Sequence, residues 1–262
     1  MGIDSIKSYM SELLKKGQRE DGRKIFDYRK IEVEVNPLAR ACGSARVRIG
    51  ETEVLVGVKM DVTKPYPDSP DDGTLMVNAE LIPLANPDFE PGPPSPQSVE
   101  LARVVDRGIR ESGAIDTAKL CITPKEKVWT VFIDIYPMND DGNLLDAAAL
   151  GAIVALKHAY IPKYDEKEEK VLYKELTKEK LPLTCLPVMT TFGKLDGNVF
   201  LDASRREEKS YDGRLSIATL ENGAISAMQK GEAGTFTEKE VFELLGTAIE
   251  KGKELRGLIK KV

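Results

Sequence analysis

The 262-residue chain has little of the chemistry on which metal sites and disulfide frameworks are built, with one histidine and three cysteines. Cys42, Cys121 and Cys185 lie far apart and include no C-x-x-C pair, which disfavours both a disulfide framework and a thiolate zinc site. A mechanism that needs an imidazole must use His158, which lies in an apolar stretch where a structural histidine is the favoured interpretation. We therefore expect neither a bound metal nor a cofactor.

Long apolar runs, a secretory leader and a basic surplus are also missing. No stretch approaches about 18 consecutive apolar residues, so we expect no membrane span. Residues 1–6 lack the basic and apolar regions of a signal peptide, and the expected location is cytoplasmic. The net charge of −5 repels phosphodiester backbones at long range, so contact with RNA would need a local cluster of arginine or lysine.

Alternating apolar and polar residues predict strands in two separate parts of the chain. The first part contains a period-two strand at 31–35, a hairpin around Gly50, and an apolar run at 128–136 that suits a strand covered on both faces. The last third contains two hairpins, with turns at Asp196-Gly197 and Asn222-Gly223.

Helical spacing of apolar residues predicts four helices, and polar residues mark where two of them begin. Ser98 is the expected N-cap of the second helix, after a proline-rich loop at 83–96. Thr237 and Glu240 form a capping box at the start of the fourth helix. The predicted helices are 5–16, 99–112, 144–159 and 237–259.

The order of these elements favours an α+β fold with two related halves, each made of strands backed by helices. Segment 163–180, with six lysines and six acidic residues, is predicted to be a solvated and partly helical insertion, and 204–209 a loop at a strand end. We predict an N-terminal helix and extension at 1–28, a first domain at 29–182 that includes the insertion, and a second domain at 183–262.

Three arginines on one face of the second helix, Arg103, Arg107 and Arg110, form an array of donors suited to phosphate oxygens. Their spacing alone favours a solvated helix face, partly neutralised by Asp106 and Glu111, so both interpretations stay open. The Asp-Asp-Gly segments at 71–73 and 140–142 are more typical of ordinary turns than of cation sites.

Several strings resemble the RNase PH family of phosphorolytic 3′-exoribonucleases over about residues 20–250. They are Asp21-Gly22-Arg23, Gly43-Ser44-Ala45, Glu100 to Arg103, and Asp140 to Asn143. Longer motifs are similar to the non-catalytic RNase PH-type subunit of the archaeal exosome, and the resemblance implies an RNase PH-like fold. These motifs span 78–85, 90–94, 100–112 and 141–148.

The chain departs from the pattern of the active members of that family at each kind of site residue. Active members bind phosphate with a Thr/Ser-Arg pair, at positions that are Leu144 and Leu145 here, and they carry an arginine where Gln97 or Ser98 stands. Leucine offers neither a donor nor a charge. Of the two acidic positions, the first is Glu208 but the second is Arg214. A cation there would repel a metal and provides no general acid or base, so we expect no catalytic residues.

The resemblance also implies a function and partners. It implies a hexameric ring, a trimer of heterodimers in which this chain alternates with a catalytic RNase PH-type subunit, and RNA-binding cap proteins on the ring. Single-stranded RNA would thread the channel and contact Arg103, Arg107 and Arg110, with Arg107 and Arg110 as the first choices. Two alternatives remain: a self-sufficient phosphorolytic exoribonuclease acting as a homo-hexamer, and a structural spacer that makes no RNA contact.

Overall fold

A computed structural model describes residues 3–262, which form two β-sheets, a separate hairpin and five α-helices. Residues 1 and 2, which belong to the predicted N-terminal extension, lie outside the described residues. None of the helices in residues 3–262 combines the length and the apolar character needed to cross a bilayer. The helices are α1 (Ile3–Lys15), α2 (Pro96–Arg110), α3 (Leu144–Lys157), α4 (Arg205–Glu208) and α5 (Glu238–Lys261), with a 3-10 turn at Thr117–Leu120.

The strands confirm the predicted alternation of strand-rich and helical parts. The predicted hairpin around Gly50 is present, with Ile49 opposite Thr52 beside the turn, and Gly50 itself has a φ of +60°. The strands are β1 (Ile31–Val35), β2 (Gly43–Ile49), β3 (Thr52–Thr63), β4 (Thr74–Ala79), β5 (Cys121–Thr123), β6 (Lys127–Asn139), β7 (Tyr160–Asp165), β8 (Lys170–Lys180), β9 (Val188–Leu195), β10 (Asn198–Leu201), β11 (Gly213–Thr219) and β12 (Ile225–Gly231).

The larger sheet has the order β1-β2-β3-β6-β4, with β5 added against β6, and the smaller sheet has the order β10-β9-β11-β12. All pairs are antiparallel except β4 with β6. The smaller sheet contains the two predicted hairpins. The turn at Asp196-Gly197 connects β9 to β10, and the turn at Asn222-Gly223 connects β11 to β12. The predicted boundary between residues 182 and 183 falls between the last strand of the separate hairpin and the first strand of this sheet.

Helix α3 is apolar on all sides because it lies between the two sheets, in contact with β2 and β3 on one side and β9 on the other. Small residues allow α3 and the strands of the larger sheet to approach each other closely. A Cβ on Gly151 would lie 2.8 Å from Val56 Cγ2, and one on Gly43 would lie 2.3 Å from the Ala155 carbonyl oxygen. The helix therefore fixes the larger sheet to the smaller one.

Strand β6 is covered on both faces only in its first part, so that prediction is partly wrong. Val128–Val131 are all buried, but burial alternates from Phe132 onward. Ile133 and Ile135 point into the core, whereas Phe132 and Asp134 lie on the other face and are only half-buried. The helix that packs on β6 is α3, which lies on the core side of the sheet.

The predicted start of α2 is wrong by three residues. The N-cap is Ser95, whose hydroxyl oxygen accepts a hydrogen bond from the Ser98 backbone N–H at 3.2 Å. Pro96 is the first helical residue, a position where the missing N–H of proline breaks no helical hydrogen bond. The proline-rich stretch therefore leads directly into the helix rather than ending before it.

Two segments differ from their predicted structure. The charged insertion 163–180 is not helical, because it belongs to the antiparallel hairpin β7–β8. The 204–209 segment contains the short helix α4, which Ser204 and Glu207 stabilise with a capping box. The mixed charges of both segments hid these structures, because they carry little apolar periodicity.

A buried polar network joins the two halves. Asp202, which is fully buried at the end of β10, accepts hydrogen bonds from Arg29 Nη2 at 2.9 Å, Arg23 Nη1 at 2.8 Å and Asn143 Nδ2 at 2.8 Å. Burial by itself would raise the pKa of Asp202, but the hydrogen bonds and charge of Arg29 hold it below its usual value. On α3, a second buried carboxylate, Asp146, accepts from the hydroxyl groups of Thr191 on β9 and of Tyr28.

We expect Asp202→Ala to lower the free energy of unfolding by about 3–5 kcal/mol at neutral pH, because two arginines lose a buried partner. Since the folded pKa is below the usual value, the contribution is present above about pH 4 and is lost as the pH falls through the folded pKa. Urea unfolding of the wild type and of Asp202→Ala at several pH values measures the difference in the free energy of unfolding. The control is Glu166→Ala, in the exposed turn of the β7–β8 hairpin. Equal stability of Asp202→Ala and wild type at neutral pH would contradict the role of the network.

Candidate functional site

All five positions that were predicted to be degenerate lie around one cleft of about 640 Å³. The cleft opens where the N-terminal ends of α2 and α3 meet α4 and β11. Sequence positions more than 100 residues apart are thus brought together, as the resemblance implied. The five are Gln97, Leu144, Leu145, Glu208 and Arg214.

The entry to α3 is held by the side chain and the backbone N–H of its N-cap residue. Asn143 has a left-handed backbone with a φ of 57°, and its side chain donates to Asp146 and Asp202 instead of capping the helix. The Asn143 backbone N–H donates to Glu208 Oε1 at 2.7 Å. The next two residues, Leu144 and Leu145, are buried and apolar. The N–H of the N-cap residue, at a helix N-terminus that would suit an anion, therefore donates to the chain's own carboxyl group.

Arg214 is held by an ion pair inside the cleft. Its guanidinium, whose side chain is 13% exposed, donates to the carboxylate of Glu100 on α2. Gly231 of the neighbouring strand makes room for it, because a Cβ there would lie 2.5 Å from Arg214 Nη2. The positive charge at this position is thus built into the packing between β11, β12 and α2.

Glu208 is the only acidic residue of the predicted pair, and its environment favours the protonated form. Burial, which is the main cause, and the charge of Asp140 raise its pKa to about 7, against the opposing effect of the Asn143 N–H and of Arg205 and Arg214. Burial also raises the pKa of Tyr211, on the wall of the same cleft. The cleft can exchange one proton near neutrality, but the second acidic position of the predicted pair holds a cation instead of a carboxylate.

The Asp-Asp-Gly turn at 140–142 serves the backbone and the ion-pair network. Asp140 accepts hydrogen bonds from Asn86 Nδ2 at 2.7 Å and from Arg205 Nη1 at 2.8 Å. Gly142 has a φ of +86° and lies against the backbone at Ala203. Within the described part of the chain, no group of three or more histidine, cysteine, aspartate or glutamate side chains is placed to hold a metal ion.

The arginine stripe lies on the exposed face of α2, but its members differ in their availability. Arg110 is paired with Asp106 and donates to the Leu75 carbonyl oxygen at 2.9 Å. Arg107 donates to the Gln229 side chain on β12. Arg103 makes no hydrogen bond or ion pair with any residue from Ser5 to Val262. The structure therefore favours Arg103 over Arg107 and Arg110 as a donor free to bind a ligand.

Sequence patterns give no signal for four residues that line the cleft, and His158, for which a structural role is expected, does not line it. Glu100, Arg205, Lys209 and Tyr211 line the cleft but were not selected. Glu100 contributes to the cleft by pairing with Arg214, which is 114 positions away in the sequence. Its place three residues before Arg103 on α2 gives no sign of that pairing. His158 lies at the opposite end of α3, where burial and the charges of neighbouring lysines lower its pKa.

Known proteins share this arrangement of two domains. Residues 27–162 match domain 1 of the 3′ exoribonuclease family, RNase PH, and residues 185–251 match its domain 2. The chain belongs to this family, and the predicted fold class is confirmed.

Individual proteins of the family are similar to this chain over nearly its full length. The chain is 48% identical to the exosome complex component Rrp42 of Thermococcus kodakarensis, over 98% of this chain and 94% of that protein. It is 46% identical to the Rrp42 of Methanosarcina acetivorans, over 96% and 92%. A solved structure of the Archaeoglobus fulgidus exosome with RNA bound to the active site contains a chain with a TM-score of 0.90 and 45% identity, covering 97% of this chain and 98% of that one.

We expect Glu208→Gln to stabilise the protein at pH 8 and to have little effect at pH 5. A carboxyl group with a folded pKa of about 7, against a usual value of 4.5, opposes folding by about 3 kcal/mol once it ionises. The stability of the wild type should therefore fall as the pH rises through this window, and glutamine removes that loss while still accepting from the Asn143 N–H. Urea unfolding at both pH values measures the difference.

The control for this variant is Glu179→Gln, on the exposed face of β8, which should change stability equally little at both pH values. A Glu208→Gln variant that is less stable than wild type at pH 8 would show that the carboxylate, not the carboxylic acid, stabilises the cleft.

Proposed function

We propose that this chain is a subunit of an archaeal exosome that holds RNA beside a catalytic partner and does not itself catalyse phosphorolysis. The observation that carries the absence of catalysis is the Arg214–Glu100 ion pair, at the position where the family resemblance implies the second acidic residue of active members. The high identity to Rrp42 proteins over nearly the full chain supports the exosome assignment.

The geometry of the cleft supports the absence of catalysis. Phosphorolysis needs a bound phosphate ion, and the donors that would grip it at the start of α3 are replaced by Leu144 and Leu145. The nearby Asn143 N–H is already bonded to Glu208. Arg214 stands at the expected second acidic position and neutralises Glu100, so the pair of carboxylates expected to assist a metal or handle protons is incomplete. The fold and the cleft are retained while the groups that act on phosphate are absent.

The partners follow from the same resemblance. The chain would alternate with a catalytic RNase PH-type subunit in a hexameric ring that carries RNA-binding cap proteins, in the cytoplasm. The homo-hexameric phosphorolytic enzyme is disfavoured by Leu144, Leu145 and Arg214. RNA would contact the exposed face of α2, above all the unpaired guanidinium of Arg103, through its phosphates and without sequence preference.

Incubation of the purified chain with single-stranded RNA, phosphate and magnesium should release no nucleoside diphosphates, because the cleft has lost the groups that bind phosphate. For comparison, the same RNA is incubated with the catalytic partner alone and with both subunits together, and the release of diphosphates is measured in each case. Release of diphosphates by this chain alone, at a rate above that of a Glu208→Gln variant, would establish the homo-hexameric enzyme instead.

Arg103→Glu should weaken RNA binding by the assembled complex and make the affinity less dependent on salt. The slope of log affinity against log salt should fall by about 0.7 for each phosphate that the complex no longer neutralises. Arg110→Ala should have a smaller effect, since that guanidinium is already bonded to Asp106 and Leu75. Fluorescence anisotropy of labelled single-stranded RNA at several salt concentrations measures both.

The matched control is Lys253→Glu, an equal change of charge on the exposed side of α5, at a residue without an ion pair among the described residues. If Arg103→Glu and Lys253→Glu have equal effects, the α2 face makes no RNA contact and the chain acts as a structural spacer.

A further inference from the structure

A second cleft, of about 440 Å³, lies on the face of the larger sheet that points away from α3. Val56 of β3 packs against Gly151 of α3, so the alternate residues of this strand, including Lys59 and Asp61, must point to the opposite face. The β7–β8 hairpin supplies the other wall. We call this the hairpin cleft; it is lined by Arg40, Lys59, Asp61, Phe132, Asp134, Tyr173 and Lys174, with the backbone at Met60.

Two aromatic rings form the apolar surface of the hairpin cleft. Phe132 on β6 lies directly opposite Lys59 on β3 in the sheet register. Tyr173 of β8 is 46% exposed, and the Lys59 ammonium lies 5.4 Å from the centre of its ring. Lys59 Nζ also donates to the Arg40 carbonyl oxygen at 2.6 Å. This lysine therefore ties the hairpin, the sheet and the loop of Arg40 together and holds an exposed ring in place.

The polar groups of the hairpin cleft have capacity left for a ligand. The side chains of Arg40 and Lys174 are exposed and make no hydrogen bond or ion pair within residues 5–262. Asp134 accepts one long bond, from Asn78 Nδ2 at 3.3 Å. Its register partner on β3 is Gly57, which has no side chain, and Leu38 Cδ1 lies 3.5 Å from where a Cβ would stand. Two cations that have no partner within residues 5–262, a carboxylate with a single long hydrogen bond and an exposed ring thus surround one space.

We propose that the hairpin cleft binds a nucleotide. A base would stack on Tyr173 and Phe132, since every base has a face that stacks on an aromatic ring. Arg40 and Lys174 would bind the phosphate, and Asp134 would accept a hydrogen bond from an exocyclic amine of the base. The volume is within the range of small-ligand sites. This site is distinct from the cleft of Glu208 and Arg214, and nucleotide binding there does not depend on the proposed function.

The test is calorimetric titration of the full chain with adenosine 5′-monophosphate and, separately, with a short single-stranded oligoadenylate. The titrated chain carries Arg103→Glu, so that the exposed face of α2 contributes little to the measured binding. Tyr173→Ala should weaken binding at least about fivefold, because the base loses its stacking surface. Arg40→Glu combined with Lys174→Glu should weaken it about tenfold or more, and the effect should shrink at high salt.

Lys178→Glu, on the same strand but outside the hairpin cleft, is the matched control and should leave the affinity unchanged. Tighter binding of the oligonucleotide than of the mononucleotide identifies RNA as the source of the nucleotide, and equal binding identifies a free nucleotide. Binding of neither probe, or binding that Tyr173→Ala leaves unchanged while thermal unfolding shows the variant to be folded, would overturn the proposal. The proposal would also be overturned if the hairpin cleft bound an arginine-rich peptide saturably and bound neither nucleotide probe.

Discussion

The arrangement of the whole molecule depends on two buried carboxylates, Asp146 and Asp202. A buried charge is tolerated only when it is paired and hydrogen-bonded, and here the partners come from both halves of the chain. Arg29 and Tyr28 precede the first strand, Thr191 belongs to the smaller sheet, and Asn143 connects the two carboxylates. The halves therefore satisfy this network only when they are docked in one position.

That docking also builds the cleft. Asn143 is held in a left-handed conformation by its bonds to both carboxylates, which directs its N–H toward Glu208. The start of α3 is thus positioned against α4 and β11 irrespective of any ligand. The support for the cleft lies in Asp146 and Asp202, behind it, and not in Leu144, Leu145 or Arg214, which line it.

Local sequence signals predicted most of the elements of the fold. The capping box of Thr237 and Glu240, the turns at Asp196-Gly197 and Asn222-Gly223 and the apolar helix of α3 are all present, because each depends on neighbours in the chain. The errors lie where charge masks periodicity, as in the β7–β8 hairpin, or where a nearby residue competes, as Ser95 does with Ser98 for the cap. The one-sided burial of β6 from Phe132 onward was also not predicted, since the apolar run alone does not reveal which of its faces a helix covers.

The sequence by itself determined the family, and it indicated the positions expected to depart from the active pattern and the candidate arginines, because these are matters of residue identity and order. Only the tertiary structure decided how those residues act. It paired Arg214 with Glu100, gave Glu208 a pKa of about 7 by burial, and occupied Arg107 and Arg110, while Arg103 has no partner in the described part of the chain. Ion pairs and burial depend on side chains distant in sequence, and their partners are set only when the sheets and helices pack.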